Sequence, residues 1–517
     1  MKKQRRVIAI AMSSAMALTA LAGCAGGTEK DETTQATTAE QTTQATEAET
    51  TPAQTEQVTT APTETTTEAP TDRGIPGPYI IDTRRDVTFV TQRKAVPDGT
   101  WRDALLLSNG LLEPTNTYQE DLRDWMNFIE EEYNIHVHIT NITRDGSDYA
   151  SMLASSIIAG DPIGQLLEID ARWLPALLNS RMLAPLEELP SLDLTEEKWN
   201  QNVIKATTFA GHIYGINADR DCGYGVFFNK QILQEVGYSA DDLYDLQKNG
   251  EWNHTKFEEI LKACTKDTNG DNANDLWGMT TSLGAHYYTA MVYASGADFV
   301  TKDASGQFVN QMGSEDFLSA VSWADELWKK YAAPPMEVDG ELSFIDRFNK
   351  GEVAMLVASE KDKSLLTLDD GCGFVTIPCP DGREVITVDP SPVVFISASY
   401  SKEEANEIAF ALDLITDDVP GFCEGRYEQW KEEYYGSYTN NRRAVDETLQ
   451  LMKYGKNSKV RLELYVKDLY DKGIMQDLFS PLFGGTITPQ EAIQEKMDSW
   501  NAYIEEQNEV LKILPLN

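Results

Sequence analysis

From Val87 onward the chain alternates short apolar runs with longer segments whose apolar residues recur every three or four positions. Val87 to Thr91 reads as a short strand. Ala104 to Leu107 is a continuous apolar run and predicts a buried strand, with Ser108-Asn109-Gly110 as the loop at its end. Tyr118 to Tyr133 carries Leu122, Trp125, Met126 and Ile129 on one helical face. Ile135 to Ile139 alternates as a strand should. Tyr149 to Ala159 predicts a helix, stopped at Gly160-Asp161-Pro162. Leu166 to Ile169 predicts the next strand, ending at Asp170. Strand and helix in this order imply an α/β fold with a doubly wound parallel sheet, whose ligands sit at the carboxyl ends of strands.

The stretch Gly250 to Gly278 joins a helix to a polar loop. Thr255 is expected to cap the helix, with Glu258 three residues on completing a capping box. Phe257, Ile260, Leu261 and Cys264 form one apolar stripe. In the loop, Asp267, Asn269, Asp271 and Asp275 place oxygens at alternating positions, as a hard cation such as calcium requires. The twelfth position of a calcium loop would be Glu, and here it is Gly278. A bound ion would complete its shell with water, the backbone carbonyl near Ala273, or other groups. The same residues also suit an Asx-rich turn that closes a helix. Trp252, just before the helix, is expected to pack structurally.

The first 23 residues, with Lys2, Lys3, Arg5 and Arg6 ahead of an apolar run from Val7 to Ala22, have the plan of a signal peptide. They end Leu21-Ala22-Gly23-Cys24, similar to the lipobox of bacterial lipoproteins, which marks Cys24 for lipidation. Residues 24–75 after it are mainly Thr, Glu, Gln, Ala and Pro. So few large apolar side chains cannot offset the entropy of ordering, so a disordered tether is expected. About 50 such residues reach roughly 40 Å as a flexible coil. The roughly 440 residues beyond it exceed what one core serves, so two domains or lobes are expected.

The net charge of −39 argues against nucleic acid and anionic membrane surfaces, which need clustered Lys and Arg. Membrane association is therefore expected through the lipid anchor alone. No second long apolar stretch and no G-x-x-x-x-G-K-[ST] occurs, so permease and ATPase functions belong to other chains. Beyond Cys24 there are Cys222, Cys264, Cys372, Cys379 and Cys423. The Cys372 and Cys379 thiols flank a predicted strand, about 23 Å apart if extended, which excludes a disulfide between them. The five thiols read mostly as small core hydrophobes. His136, His138, His212, His254 and His286 lack the spacing of a metal set or a triad. There is no H-E-x-x-H and no G-x-S-x-G, so an enzyme is not expected.

Several motifs recur in a fixed order. A helix running into Gly160-Asp161-Pro162 is followed by a strand and Arg181-Met182-Leu183-Ala184-Pro185-Leu186. Then come Gly211-His212-Ile213-Tyr214-Gly215-Ile216 and Gly225-Val226-Phe227-Phe228-Asn229-Lys230. Trp252 precedes the Thr255 helix, and Trp277-Gly278 opens a strand. Phe348-Asn349-Lys350-Gly351-Glu352-Val353-Ala354-Met355 and Thr486-Ile487-Thr488-Pro489-Gln490-Glu491-Ala492 complete the series, the last with Thr488 as cap and Pro489 at the first helical position. Spread over roughly residues 100 to 505, they resemble the extracellular solute-binding proteins of ABC importers, family 1, maltose-binding type.

The resemblance implies a two-lobed periplasmic-binding-protein-like (type II) fold, each lobe a mostly parallel sheet flanked by helices, joined by hinge segments. By position, lobe 1 takes residues 76–216 and returns at 391–440. Lobe 2 takes 217–390, and 441–517 adds lobe 2 and C-terminal helices. Crossings fall near Ile216–Cys222, Pro390–Phe395 and Asn440–Glu447. Function follows the same implication: a monomeric lipid-anchored subunit on the outer face of a bacterial cell membrane of the Gram-positive type would capture an oligosaccharide or similar polar solute for permease subunits. Asp170 and Trp173, after a strand's carboxyl end, are candidate ligand contacts. Tyr287 and Tyr288 match the position of a sugar-stacking aromatic in relatives. Asn109, in a strand–helix loop, and Asp219, near the first crossing, complete the candidates. Where some relatives carry a cleft Trp, this chain has Ser359-Glu360-Lys361, which argues against a malto-oligosaccharide. A cell-surface glycan sensor or adhesin, or a glycoside hydrolase using two of the many carboxylates, are the alternatives.

Overall fold

Arg85–Thr91 forms the first strand, β1, of the computed structural model, which describes residues 85–514 except 94–98, 145, 339–340, 369–370, 420, 423–424 and 439. The signal peptide, Cys24, the tether and Cys423 lie outside the described residues. No helix among the described residues is long and apolar enough to cross a membrane.

After β1 come α1 (Arg102–Ser108), α2 (Thr117–Tyr133), β2 (Ile135–Asn141), α3 (Gly146–Ile158) and β3 (Leu166–Ile169). The next elements used below are β4 (Tyr224–Asn229), α4 (His254–Cys264), β5 (Trp277–Thr281), α5 (Tyr287–Ala294) and α6 (Glu315–Tyr331). They are followed by β6 (Val353–Ser359), β7 (Cys372–Thr376), β8 (Thr387–Asp389), β9 (Val393–Ile396), α7 (Lys402–Thr416), β10 (Ser458–Val460) and α8 (Pro489–Lys512).

Two four-stranded sheets result. The first runs β9-β3-β1-β2. Arg85 opposes Ile135 and Thr91 opposes Asn141 in a parallel ladder, and Phe89 opposes Leu166 in another. The edge strand β9 is antiparallel, with Val393 opposite Ile169. The second sheet runs β7-β4-β6-β5. Its β6–β5 pair is parallel, whereas β4 runs antiparallel to both β6 and β7. Helices cover the faces. Leu122, Trp125, Met126 and Ile129 of α2 are buried, with the Trp125 Nε1 donating to the Leu414 carbonyl of α7 at 3.1 Å. Such parallel strands need this cover, since both faces of the sheet are apolar.

The lobes are joined where Ile216 and Val394 pair as an antiparallel bridge, and where β8 lies parallel to β10. The chain returns to the second lobe between Phe422, packed on Trp125 and Phe128, and Tyr438, packed on Phe374. That lies upstream of the Asn440–Glu447 crossing expected from sequence.

Two local expectations need correction. Ala104–Leu107 is helical, within α1, and not a strand. Arg102 and Asp103 are buried with the apolar run, so the segment is enclosed all round, and periodicity does not separate a buried helix from a buried strand. The α4 cap is Asn253, whose Oδ1 accepts from the Lys256 amide at 2.9 Å. Thr255 instead bonds Asp381 through its amide and hydroxyl, and Glu258 accepts from the Tyr331 hydroxyl at 2.9 Å. The α4 stripe of Phe257, Ile260, Leu261 and Cys264 is fully buried. Trp252 is too, its Nε1 donating to the Thr376 carbonyl at 2.7 Å, which ties the helix entry to the end of β7. Cys222, Cys264, Cys372 and Cys379 are buried free thiols.

Candidate ligand-binding cleft

A cleft of about 430 Å³ opens where strand ends of both sheets meet the joining segments. That size is ordinary for a small-molecule site, about 300–1,000 Å³. Lobe 1 contributes the turn after β3. Asp170 caps it, its Oδ1 accepting from the Arg172 amide at 2.9 Å. The Arg172 side chain returns to the same carboxylate through Nε (3.3 Å) and Nη2 (3.4 Å), and its Nη1 lies 3.8 Å from Asp471. Lobe 2 contributes Tyr224 at the start of β4, Ser282 after β5, Ser359 at the end of β6 and Asp362 beyond it. The Ser282 hydroxyl donates to Asp362 Oδ2 at 2.6 Å, and the Ser359 amide donates to the same oxygen at 3.2 Å.

The floor comes from the joining segments and the C-terminal region. Asp389 is buried; it accepts from the Ser391 amide at 2.9 Å and from Asn200 Nδ2 at 2.6 Å, and burial raises its pKa. Arg461, only 9% exposed, donates through Nε to Glu463 at 2.9 Å and through Nη1 to the Tyr224 hydroxyl at 3.4 Å. Its guanidinium lies 4.4 Å from the Tyr470 ring centre. His286 Nδ1 meets the Tyr470 hydroxyl at 2.5 Å. Burial, with Arg461 and Arg172 nearby, lowers the His286 pKa to about 4, so the ring is neutral at pH 7.

Beside the cleft lies a buried charge cluster. Glu168 of β3 accepts from the Thr91 hydroxyl at 2.7 Å, pairs with Arg102, and has Arg93 Nε at 3.6 Å. Arg102 also pairs with Asp219. Asp221 links the lobes, bonding Arg93 Nη2 at 2.5 Å and Lys361 Nζ at 3.2 Å. Burial alone would raise the Asp221 pKa, but Arg93 and Lys361 outweigh it and hold the carboxyl well below its usual range.

Of the six ligand candidates read from sequence, Asp170 alone lines this cleft. Asn109 closes α1, its Nδ2 donating to the Leu105 and Val137 carbonyls at 2.8 and 3.0 Å. Trp173 packs against α3, so close to Gly146 that a Cβ there would sit 2.5 Å from its Nε1. Asp219 is buried in the charge cluster. Tyr287 and Tyr288 are fully buried in α5, their hydroxyls donating to the Ala324 carbonyl and to Asp325 of α6, both at 3.1 Å. Core packing has taken the aromatic faces that a sugar would need. Ser282, Ser359 and Asp362 obey the strand-end rule and were recoverable from it. Arg461 and Tyr470 come from a distant C-terminal segment that no local pattern connects to the cleft.

In the Asp267–Asp275 loop the side-chain oxygens hold backbone amides. Asp267 accepts from Gly270 (2.7 Å) and Asn272 (2.8 Å), Asn269 from Asp271 (2.9 Å), and Asp271 from Ala273 (2.8 Å). Asp275 accepts from the Thr268 amide and hydroxyl. The bonds from Gly270 and Asn272 lower the Asp267 pKa. Together these bonds explain how the loop tolerates its carboxylates. Elsewhere, Glu196, Asp413 and Asp417 converge, but the Lys198 ammonium occupies their centre.

A family model described as bacterial extracellular solute-binding protein matches residues 125–409. No curated protein matches. Among solved structures, the sugar-binding protein MalE of the phytopathogen Xanthomonas citri is 15% identical with a TM-score of 0.58, covering 83% of this chain and 100% of its own. The GacH receptor of Streptomyces glaucescens, solved unliganded and with acarbose, is 13% identical with a TM-score of 0.53, covering 82% and 99%. The substrate-binding protein Lmo0181 of Listeria monocytogenes, in complex with cycloalternan, is 16% identical with a TM-score of 0.51, covering 82% and 99%. These likenesses extend over both lobes and establish the two-lobed periplasmic-binding-protein-like fold.

Proposed function

This chain belongs to the bacterial extracellular solute-binding proteins, and we propose that it is the lipid-anchored binding subunit of an ABC importer, capturing a carbohydrate between its lobes for delivery to a permease. The observation that carries this reading is the cleft itself. Strand ends of both sheets and the C-terminal region bring guanidinium groups, carboxylates, hydroxyls and tyrosine rings to one open gap at the joining segments. Sugars are held by that combination of planar hydrogen-bonding groups and aromatic surface. Family membership places the protein outside the cytoplasm. The Cys24 lipid and the tether would keep it at the membrane, and two or more acyl chains suffice for stable anchoring.

The test is calorimetric titration of the protein with a panel of unmodified oligosaccharides, followed by analysis of the recovered sugar. Saturable binding with the sugar returned intact is expected. Release of hydrolysis products at useful turnover would overturn the reading in favour of a glycosidase.

We carry calcium at the Asp267–Asp275 loop as part of the same proposal. Asp267, Asn269, Asp271, Asp275 and the Ala273 carbonyl would hold it, in a structural role away from the cleft. An ion bound only by the native state raises the melting temperature. Chelator is therefore expected to lower that temperature by a few degrees without changing ligand affinity, and Asp271→Ala should abolish the sensitivity. Identical melting in calcium and in EDTA would leave the loop as a hydrogen-bonded turn.

A further inference from the structure

We propose that the cleft selects a hydroxyl-rich ligand, read by Arg461 Nη2 as donor, and excludes saccharides bearing a carboxylate or sulfate. This rests on the carbohydrate reading and narrows its substrate class. Arg461 Nη2 is a buried donor with no hydrogen-bond partner among the described residues, although Nε and Nη1 of the same guanidinium are engaged. A buried guanidinium nitrogen without an acceptor is costly. Because Arg461 lines the cleft, a ligand oxygen can supply the acceptor.

Charge then decides what kind of oxygen. Both guanidinium groups in the cleft are already matched, Arg172 by Asp170 and Asp471, and Arg461 by Glu463. His286 adds no positive charge at neutral pH. Asp362 and Asp389 add carboxyl groups to the lining, so that Asp170, Asp362, Asp389, Glu463 and Asp471 surround the guanidinium groups of Arg172 and Arg461. An anionic sugar would bring a further negative charge to this acidic, partly desolvated site, whose two guanidinium groups already face carboxylate partners. A hydroxyl group meets neither difficulty. It accepts from Arg461 Nη2, and a neighbouring hydroxyl donates to Asp362, whose Oδ2 alone is used by Ser282 and Ser359.

The experiment uses matched saccharides on the wild-type protein: maltotriose, cellotriose and galactotriose, each beside its uronate counterpart. The neutral sugar that binds most tightly is expected to exceed its uronate at least thirtyfold in affinity. Asp362→Asn should shrink the neutral-to-uronate ratio at least threefold. Arg461→Lys, which keeps a charge beside Glu463, should weaken neutral binding at least tenfold. Should that variant fail to fold, the wild-type pairs and Asp362→Asn still decide. A uronate that binds as tightly as its neutral partner, or an Asp362→Asn ratio that does not move, would overturn this inference alone. Binding of no saccharide of any charge would overturn the carbohydrate reading and this inference with it.

Discussion

Arg102→Met is expected to lower the unfolding free energy by about 3–5 kcal/mol, because it strands two buried carboxylates at once. Arg102, Glu168 and Asp219 are 3%, 3% and 6% exposed. Glu168 would retain the Thr91 hydroxyl and the more distant Arg93, but Asp219 would lose the guanidinium that neutralises it. Denaturant unfolding measures the loss directly. The double variant Arg102→Met with Asp219→Leu should recover part of it, since it removes the carboxylate left without its guanidinium. A loss below about 1 kcal/mol for the single variant would mean that water reaches this cluster.

Tyr288→Ala should act on stability and not on binding, with an expected cost of about 3–5 kcal/mol typical of a large aromatic truncated in a core. Its ring stacks on Phe479 at 5.2 Å and its hydroxyl serves Asp325. The folded fraction should bind ligand with wild-type affinity. Tyr224→Ala is the converse. That side chain is half-buried at the cleft wall and bonds Arg461, so affinity should fall at least tenfold with a much smaller change in melting temperature. If Tyr288→Ala weakened binding while leaving the melting temperature alone, the ring would have to reach the ligand in a conformation other than this one.

The contrast between these tyrosines shows what sequence patterns carry. Periodicity placed α2, β2 and α3, because each has one apolar face or alternation against one core, while β3 is legible in its short apolar run and is buried throughout. It misplaced Ala104–Leu107, where burial on every side erases the period. The strand-end rule led to Asp170 and reaches Ser282 and Asp362, since loop positions after parallel strands face the gap between lobes. It could not say that Tyr287 and Tyr288, only a few residues beyond β5, turn inward on α5 to satisfy Ala324 and Asp325. Nor could it bring Arg461 and Tyr470 beside Tyr224, because that contact spans more than two hundred residues of chain and depends on how the C-terminal region folds back. The Thr255 cap failed for a related reason. Asp381, remote in sequence, competes for the threonine and leaves Asn253 to cap the helix.

The most direct test of a carbohydrate held between the lobes is the structure of the protein with the saccharide that titrates most tightly. The sugar should lie between Asp170 and Arg172 of one lobe and Tyr224, Asp362 and Arg461 of the other, intact, with one of its oxygens on Arg461 Nη2. A sugar bound to one lobe only, away from these residues, or cleaved in place would contradict the account.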